Sequence, residues 1–369
     1  MIRLGRSFAV VGTALAIAVA SGCGSAGGAA AEQAVSPCGK ATAPTWSPDG
    51  TQIAWYGFRR PLPAHHHAVG SSDILRAICI SDASGKRLHR LSNTACSRHC
   101  PDAFGDPPDQ LDWVTPALLL SGNDLGIFTV SIGGKPNLLG KTGPVPFSVD
   151  AKGDRVAAGL SASGCSGCSG PVKVLSVPSG AVVGLVGSTK LDNGEPSLSP
   201  DGTQVVFTRS VAKDSGAMPS LWTASADGSH LKRLERRGDN PLWSPAGDRI
   251  AYLVPTGGAR FAWRLVAPQG GASTTLLRNG PGTVFGWSPN GRWIAFPDSK
   301  GRLAVIDVTT RKVRRLLKLR LPYSSSSVVW SPDSRELLAV WRPPVHSSCP
   351  SGLWRVPIDG AKPRLVHGC

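Results

Sequence analysis

The chain has few carboxylates for its size. Asp and Glu number 24 against 40 Lys and Arg in 369 residues, which leaves a formal net charge of +16. A catalytic site that needs several carboxylates is hard to assemble from so few, since many of them fall in turn-like segments. The positive balance favours anionic surroundings such as phospholipid head groups, anionic wall polymers or nucleic acid.

Two signatures of enzyme and metal sites are absent. The sequence contains no Gly-x-Ser-x-Gly elbow and no α/β region that could hold one, which argues against a serine hydrolase of that kind. Calcium-binding loops of the Asp-x-Asp-x-Asp-Gly type are absent too. We therefore expect no cofactor and no bound metal.

Long hydrophobic runs are absent except near the N terminus, where residues 8–20 are apolar. Arg3 and Arg6 precede this run, and three small residues lead from it to Cys23. A membrane-spanning helix needs about 20 apolar residues, so the run is short for one. These features predict a sorting signal over residues 1–22.

The residues before Cys23 resemble the lipobox of bacterial lipoproteins. In that family the Cys is acylated and becomes the first residue of the mature chain. This sequence departs from the pattern at Ala20, where Leu is usual. The resemblance implies lipidation at Cys23 on the extracytoplasmic face of the cell membrane, with ordinary cleavage and a retained anchor as alternatives. Residues 23–37, rich in Gly, Ala and Ser, predict a flexible tether.

The tripeptide Trp-Ser-Pro occurs four times, and the last three copies begin 44 and then 43 residues apart. A repeat of this length, made of strand-like segments and turn residues, predicts β-propeller blades. Three weaker copies bring the number of units to seven, with six as the alternative. We therefore predict an all-β, seven-bladed propeller over residues 38–369. The aligned motif positions are Trp46, Trp113, Val149, Leu198, Trp243, Trp287 and Trp330.

The residues around each motif position suit a tight turn followed by a buried strand. In Ser-Pro-Asp-Gly, Pro sets φ, Asp49 or Asp201 can bond the local backbone, and Gly50 or Gly202 takes the position that favours a left-handed conformation. The apolar residues after the turn should be buried between sheets. The Trp before the turn is large enough to fill the gap between adjacent blades, so we expect it to serve packing and not ligand binding.

These Trp-Ser-Pro-Asp-Gly units resemble the repeats of TolB-type, WD40-like β-propellers. The resemblance covers the chain from about residue 43 to its end. It implies the fold and a tendency towards protein binding. It implies no reaction, because the motif residues are structural.

Eight cysteines remain besides Cys23, and an even number outside the cytosol suggests disulfides. Cys165 and Cys168 also have the spacing of a redox or zinc motif. An all-β blade lacks the helix that a redox motif needs, and zinc would need further ligands. The expected pairs are Cys38–Cys369 across the junction of the first and last blades, Cys96–Cys100 and Cys165–Cys168.

Three basic runs fall at the same place in the repeat, on the predicted outermost strand of a blade. They lie at residues 86–90, 232–237 and 311–320. Charges on an exposed edge strand block edge-to-edge association. A positive belt that faces anionic membrane or wall polymer is the second interpretation, and both can hold.

The sequence predicts function only in outline. We expect a monomeric, non-catalytic module that binds an envelope protein or an anionic envelope polymer, and not nucleic acid. Contact is expected on the face with insertions at residues 64–71 and 94–110, because long loops on a rigid scaffold tend to carry function. The alternatives are a sensor lipoprotein and an envelope enzyme (lyase, lactonase or glycan hydrolase). Converging carboxylates in the central channel would favour the enzyme.

Overall fold

Each repeat unit forms one four-stranded antiparallel sheet in the computed structural model. The structure describes residues 38, 40–59, 75–92, 110–123, 126–132, 136–140, 147–159, 170–210, 218–320, 328–341 and 352–368. Within every sheet the strands follow one another in chain order. The seven sheets stand in a ring, which confirms the seven-bladed propeller and excludes the six-bladed alternative.

The first strand of each blade is the innermost, because first strands contact one another from blade to blade. Blades 1 and 2 consist of β1 (Lys40–Trp46), β2 (Gln52–Arg59), β3 (Leu75–Asp82), β4 (His89–Ser92), β5 (Gln110–Thr115), β6 (Leu118–Asn123), β7 (Gly126–Ser131) and β8 (Pro136–Gly140). Blades 3 and 4 consist of β9 (Phe147–Val149), β10 (Arg155–Gly159), β11 (Val172–Ser176), β12 (Val182–Val186), β13 (Asp192–Leu198), β14 (Gln204–Ser210), β15 (Ser220–Ser225) and β16 (Lys232–Glu235).

The last three blades are built in the same way. They consist of β17 (Asp239–Trp243), β18 (Ile250–Gly257), β19 (Arg260–Val266), β20 (Thr274–Gly280), β21 (Gly286–Trp287), β22 (Trp293–Pro297), β23 (Arg302–Asp307), β24 (Val313–Arg320), β25 (Val328–Trp330), β26 (Glu336–Trp341), β27 (Gly352–Pro357) and β28 (Arg364–Gly368). Over these described ranges, no helix has the length and apolar character needed to cross a membrane.

The turn after the innermost strand is held by the motif Ser, Asp and Gly. In blade 1, Gly50 N–H donates to the Ser47 carbonyl oxygen at 2.9 Å, and Gly50 has a φ of 71°. Ser47 Oγ accepts the N–H of Gln52 at 2.9 Å and donates to Asp49 Oδ1 at 2.6 Å. Asp49 Oδ1 also accepts the N–H of Thr51 at 3.0 Å. The bond from Ser47 lowers the pKa of Asp49. Ser199, Asp201 and Gly202 repeat these bonds in blade 4.

The residue before this turn packs between two blades. Trp46 lies in one cluster with Ile53 and Trp55 of its own blade and with Leu338 and Leu353 of blade 7. Burying a large apolar side chain contributes about 1.5–3 kcal/mol, so each residue that is wedged between two blades in this way adds to the stability of the ring. The other six blade junctions have equivalent clusters around Trp113, Val149 with Phe147, Leu198, Trp243, Trp287 and Trp330.

Hydrogen bonds also link the innermost strands of neighbouring blades, in two forms. Where the residue before the motif position has a hydroxyl, that oxygen accepts the motif backbone N–H of the next blade, as Thr45 Oγ1 does from Trp113 at 3.3 Å. At two junctions where it has none, the next indole donates to its carbonyl oxygen, as Trp287 Nε1 does to Leu242 at 3.3 Å. At the junction of blades 7 and 1, the buried Trp46 Nε1 has no hydrogen-bond partner among the described residues. The other bonds are Leu198 N to Ser148 Oγ, Trp243 N to Ser197 Oγ and Trp330 Nε1 to Gly286 O.

Arg355 closes the seam between blades 7 and 1. Its Nη1 donates to the Ala83 carbonyl oxygen at 2.8 Å, and its Nε donates to Glu336 Oε1 at 2.8 Å. Its guanidinium carbon lies 5.4 Å from the ring centroid of Trp46. Each described sheet has four consecutive strands, so the ring closes by side-chain contact and without strand exchange.

The expected disulfide between Cys38 and Cys369 is wrong. Cys38 is bonded to Cys79 on the third strand of the same blade, with the two Cα atoms 5.9 Å apart. Cys38 can reach across β2 because Gly57 lies beneath it: a Cβ there would stand 2.2 Å from the Cys38 carbonyl oxygen. The bridge therefore ties blade 1 internally. Outside the described residues lie Cys369, Cys23 and the expected pairs Cys96–Cys100 and Cys165–Cys168.

The three basic runs lie where the sequence predicts them. They are in or next to β4, β16 and β24, each the outermost strand of its sheet. Arg90, Arg233 and Arg314 are exposed there. The edge-protection interpretation therefore has the placement that it requires.

Replacing Arg355 by Met should destabilise the propeller by about 2–4 kcal/mol, because Glu336 is then left largely buried without its counterion. The side chains of this pair are only 22% and 11% exposed. Arg249→Met is the matched control, since the Arg249–Asp248 pair is 47% and 52% exposed and should cost less than about 1 kcal/mol. Urea unfolding followed by tryptophan fluorescence measures both. Equal midpoints for the two variants would contradict this role of Arg355.

Candidate functional site

Four carboxylates of the described residues lie on innermost strands. They are Asp112 on β5, Asp192 and Glu195 on β13, and Asp239 on β17. Turn aspartates such as Asp49 are held by the backbone and side chains of their own turn. The four inner carboxylates are not part of such turns. They are therefore the acids that are available to bind or react with a ligand beside the central axis.

Glu195 owes its position to a bulge at Pro196. Proline has no N–H to donate, and the register of β13 against β14 shifts between Gly194 and Ser197. Glu195 itself has a φ of 47°, in the left-handed region that glutamate seldom occupies. A bulge of this kind redirects a side chain, and such bulges are frequent beside active sites.

Blade 5 has the same kind of bulge before a proline, and this bulge bonds to Glu195 of blade 4. Asn240 precedes Pro241 and also has a φ of 47°, with a register shift between Asp239 and Leu242. Its backbone N–H donates to Glu195 Oε2 at 2.8 Å. Two adjacent blades are thus tied together by a side chain that the bulge redirects.

Glu195 and Asp239 form a pair of interacting acids. Burial raises the pKa of Glu195 to about 8, and a hydrogen bond with Asp239 and the charges of Asp239 and Asp192 add to the rise. Glu195 therefore carries a proton at neutral pH. A protonated carboxyl beside a carboxylate can donate to a bound group and also accept from it, which suits hydroxyl and amino groups.

Asp112 lies on the innermost strand of blade 2. Burial raises its pKa to about 6, although Gln110 Nε2 donates to Asp112 Oδ2 at 2.7 Å and partly opposes the rise. Gln110 also donates to the Phe147 carbonyl oxygen at 2.8 Å, which ties blade 2 to blade 3. Asp112 is therefore a second titratable acid beside the axis.

Asn193 and Arg209 fix the strand segment that carries the carboxylates of blade 4. Asn193 is buried, and its Nδ2 donates to the carbonyl oxygens of Gly170 and Ser188 at 2.7 and 2.8 Å. Arg209 Nε donates to Asn193 Oδ1 at 2.9 Å, and its guanidinium lies 4.2 Å from the ring centroid of Trp222. These bonds hold the start of β13 in place.

Asp192 and Asp239 begin their strands, and Glu195 is bonded to Asn240 beside Asp239, so these three acids lie toward the face where the innermost strands begin, which we call the entry face. The antiparallel order puts the connections between blades, and those between second and third strands, at the same face. The motif turns lie at the other face, which we call the motif face. The strand ends joined by the expected contact segments belong to the entry face, but residues 64–71 and 94–109 lie outside the described ones.

Glu195 and Asp239 are not among the residues that the sequence predicts to be functional, because acids are scarce in the chain and many lie in turns. A second pattern in the repeat marks their place. A proline stands two residues before the motif position in blades 1, 4 and 5, and it marks each bulge. These prolines are Pro44, Pro196 and Pro241.

Among the described residues, no group of three or more His, Cys, Asp or Glu side chains is arranged to hold a metal ion. Cys165 and Cys168 lie outside those residues. The motif positions Trp46, Trp113, Trp243 and Trp330 are each 8% exposed or less, which leaves little indole surface for a ligand.

No protein-family model matches the chain, and no curated protein sequence matches it. Solved structures do. An oligogalacturonate lyase in complex with manganese is 12% identical over 85% of this chain and 88% of that chain, with a TM-score of 0.61. A puromycin-hydrolyzing peptidase of Mycobacterium tuberculosis is 14% identical over 90% of this chain and 54% of that chain, with a TM-score of 0.62.

A putative TolB from Agrobacterium tumefaciens is 18% identical over 63% of this chain and 84% of that chain, with a TM-score of 0.45. The chain shares a propeller fold with solved structures. At identities this low the similarity extends no further than the fold. The function has to be argued from the residues of the site itself.

The Glu195 pair predicts a pH-dependent stability. The folded state raises the pKa of Glu195 from 4.5 to about 8, so between those values it binds more protons than the unfolded chain does. Stability should therefore fall as pH rises through this window, by at most about 1.4 kcal/mol per pH unit. In Glu195→Gln the amide reproduces the protonated acid, and the profile should be flatter.

The control for this experiment is Glu235→Gln, which removes a carboxylate from the outermost strand of the same blade. It should keep the wild-type slope. Urea unfolding at a series of pH values measures all three proteins. Parallel profiles for the wild type and Glu195→Gln would show that this carboxyl does not titrate in the window.

Proposed function

We propose that the protein is an exported, lipid-anchored propeller that binds a component of the cell envelope at the entry face of blades 4 and 5, without reacting with it. The ligand is an envelope protein or an anionic envelope polymer. The protein acts as a monomer and does not bind nucleic acid. Binding uses the inner carboxylates Asp192, Glu195 and Asp239.

One observation carries this proposal: the Asn240 N–H of blade 5 holds Glu195 Oε2 of blade 4 at 2.8 Å, and the Glu195 carboxyl is hydrogen-bonded to Asp239 of blade 5. Keeping these acids together is unfavourable for the fold, because burial and mutual repulsion both raise the pKa of Glu195. Strained and electrostatically unfavourable groups cluster at binding and catalytic sites. A hydroxyl or amino group of a ligand would satisfy both oxygens that the pair presents.

The rigidity of the site favours binding over conformational switching. Glu195 is held by the Asn240 N–H at 2.8 Å, and the neighbouring Asn193 is anchored by carbonyl oxygens and by Arg209. A ligand therefore meets groups that are already placed, and it loses little free energy in ordering them.

The proposed subcellular location is inferred from the N-terminal residues. Lipid attached to Cys23 would hold the propeller at the extracytoplasmic face of the membrane, with residues 23–37 as the tether. The basic surface of the propeller would add to retention on anionic lipid.

Replacing Cys23 by Ala should move the protein out of the membrane fraction. The change removes the thiol that receives the lipid and leaves the propeller intact. Cell fractionation and incorporation of labelled fatty acid measure the effect. Retained label in Cys23→Ala would contradict lipidation at this residue.

Photo-crosslinking in intact cells tests the binding site. Benzoylphenylalanine in place of Thr189, an exposed residue just before Asp192, should give an adduct with the envelope ligand. The double variant Glu195→Gln/Asp239→Asn should reduce the adduct by about tenfold or more, because it removes the charged partner of the ligand hydrogen bonds. Mass spectrometry of the adduct identifies the ligand.

The same crosslinker in place of Ala361 is the control, since that exposed residue lies in a turn of blade 7 on the motif face. It should give no comparable adduct. Adducts from position 361 and none from position 189 would place the contact on the other face and refute the proposed site.

A second candidate is an envelope enzyme, such as a lyase, lactonase or glycan hydrolase. Two observations favour it: the inner carboxylates Asp192, Glu195 and Asp239 converge, which is the arrangement expected of an enzyme, and the pKa of Glu195 is raised to about 8, which leaves a general acid protonated at neutral pH. Product formation from the crosslinked ligand would separate the two functions. An enzyme that uses this acid loses turnover in Glu195→Gln, and its rate falls as pH rises above about 8.

A further inference from the structure

Five exposed basic side chains lie at the entry face of blades 4 and 5, the face toward which the inner carboxylates of these blades lie. One stands two residues before Asp192, and two stand just before Gly238 and Asp239. The other two belong to the entry-face ends of β19 and β20. We call this set the cationic rim. It consists of Lys190, Arg236, Arg237, Arg260 and Arg278.

Part of the cationic rim stands well above the carboxylates. Asp239 pairs with Leu253 on β18, and that strand continues for four residues to Gly257, which pairs with Arg260. At about 3.3 Å per residue, the hairpin tip lies about 13 Å beyond the level of Asp239. Blade 5 thus forms a wall beside the carboxylates, with Arg260 at its top.

The charges of the cationic rim are not used within the fold. None of its five side chains forms an ion pair or a hydrogen bond with another side chain in the part of the chain that is described. Blade 6 shows the contrast, because Arg302 and Arg315 both bind Asp298, at 2.7 and 3.3 Å. The rim therefore offers its charges to something outside the propeller.

We propose that the ligand of this site is an acidic polysaccharide, a chain of sugars that bears carboxylates at intervals. This inference rests on the proposed function and specifies its ligand. Sugar hydroxyls bind the Glu195–Asp239 pair, and the sugar carboxylates bind the rim arginines, whose planar guanidinium groups match a carboxylate with two parallel hydrogen bonds.

The sign of the charges separates this ligand from other polyanions. The charges of Asp239 and Asp192 raise the pKa of the neighbouring Glu195, and they also repel a chain that is charged along its whole length. A polysaccharide places neutral hydroxyls at the centre and its charges at the rim. The five cations of the rim still attract a negative chain from a distance, and salt weakens that attraction.

The test measures binding of an oligouronate of defined length to the full chain by isothermal titration calorimetry. Arg236→Gln/Arg237→Gln should weaken binding by about tenfold or more. The matched control Lys312→Gln/Lys362→Gln removes the same charge from exposed turns at the motif face, and it should leave the affinity within about twofold. The wild type should bind a neutral oligosaccharide and polyphosphate at least about tenfold more weakly than the oligouronate.

Three outcomes overturn the acidic polysaccharide. They are equal weakening by the rim and control variants, equal affinity of the wild type for the neutral oligosaccharide, and equal affinity of the wild type for polyphosphate. The variant Glu195→Gln/Asp239→Asn shows whether the ligand class alone is wrong or the proposed binding site is wrong as well. If it abolishes binding while the rim variant does not, the proposed site stands and the ligand class is wrong. If only the rim variant matters, the carboxylates are not the binding site.

Discussion

The contact between neighbouring sheets is the constraint on which the rest of this propeller depends. No blade has a core of its own, because a single sheet cannot cover its own two faces. The apolar residues form seven clusters, and each lies at a junction between two blades. A wedge such as Trp46 works only while both neighbours stay in place. The seam between blades 7 and 1 must be as well packed as the other junctions, and Arg355 with Glu336 serves it.

The propeller therefore has two faces with different roles, one structural and one that carries the candidate site. On the motif face the turn residues satisfy one another, as Ser47, Asp49 and Gly50 do, and they leave few polar groups free. On the entry face the innermost strands begin with bulges, titratable acids and unpaired cations. The repeated motif turns thus form the structural face. The titratable acids and the unpaired cations lie at the other face, where bulges interrupt the repeat.

The electrostatics of the entry face are local and do not follow from net charge. A chain with net charge +16 would lower the pKa of an acid if distant cations decided the matter. The pKa of Glu195 rises instead, because burial and the nearby Asp239 and Asp192 act at short range while exposed cations are screened by water and salt. The bulge at Pro196 creates this situation, since it brings a glutamate against the acid of the next blade.

The sequence alone determined the propeller fold, the motif turns, the wedge positions and the placement of the basic runs on outer strands, and it favoured seven blades over the six that only the structure excluded. Those features repeat locally, and the spacing from Trp243 to Trp287 to Trp330 reveals them. Only the tertiary structure decided that Cys38 joins Cys79, because the pairing depends on how β1 crosses β2 at Gly57. It also decided that Glu195 meets Asp239. These two acids are far apart in the chain, and their contact arises from a left-handed residue at a bulge and from the closure of one blade against the next.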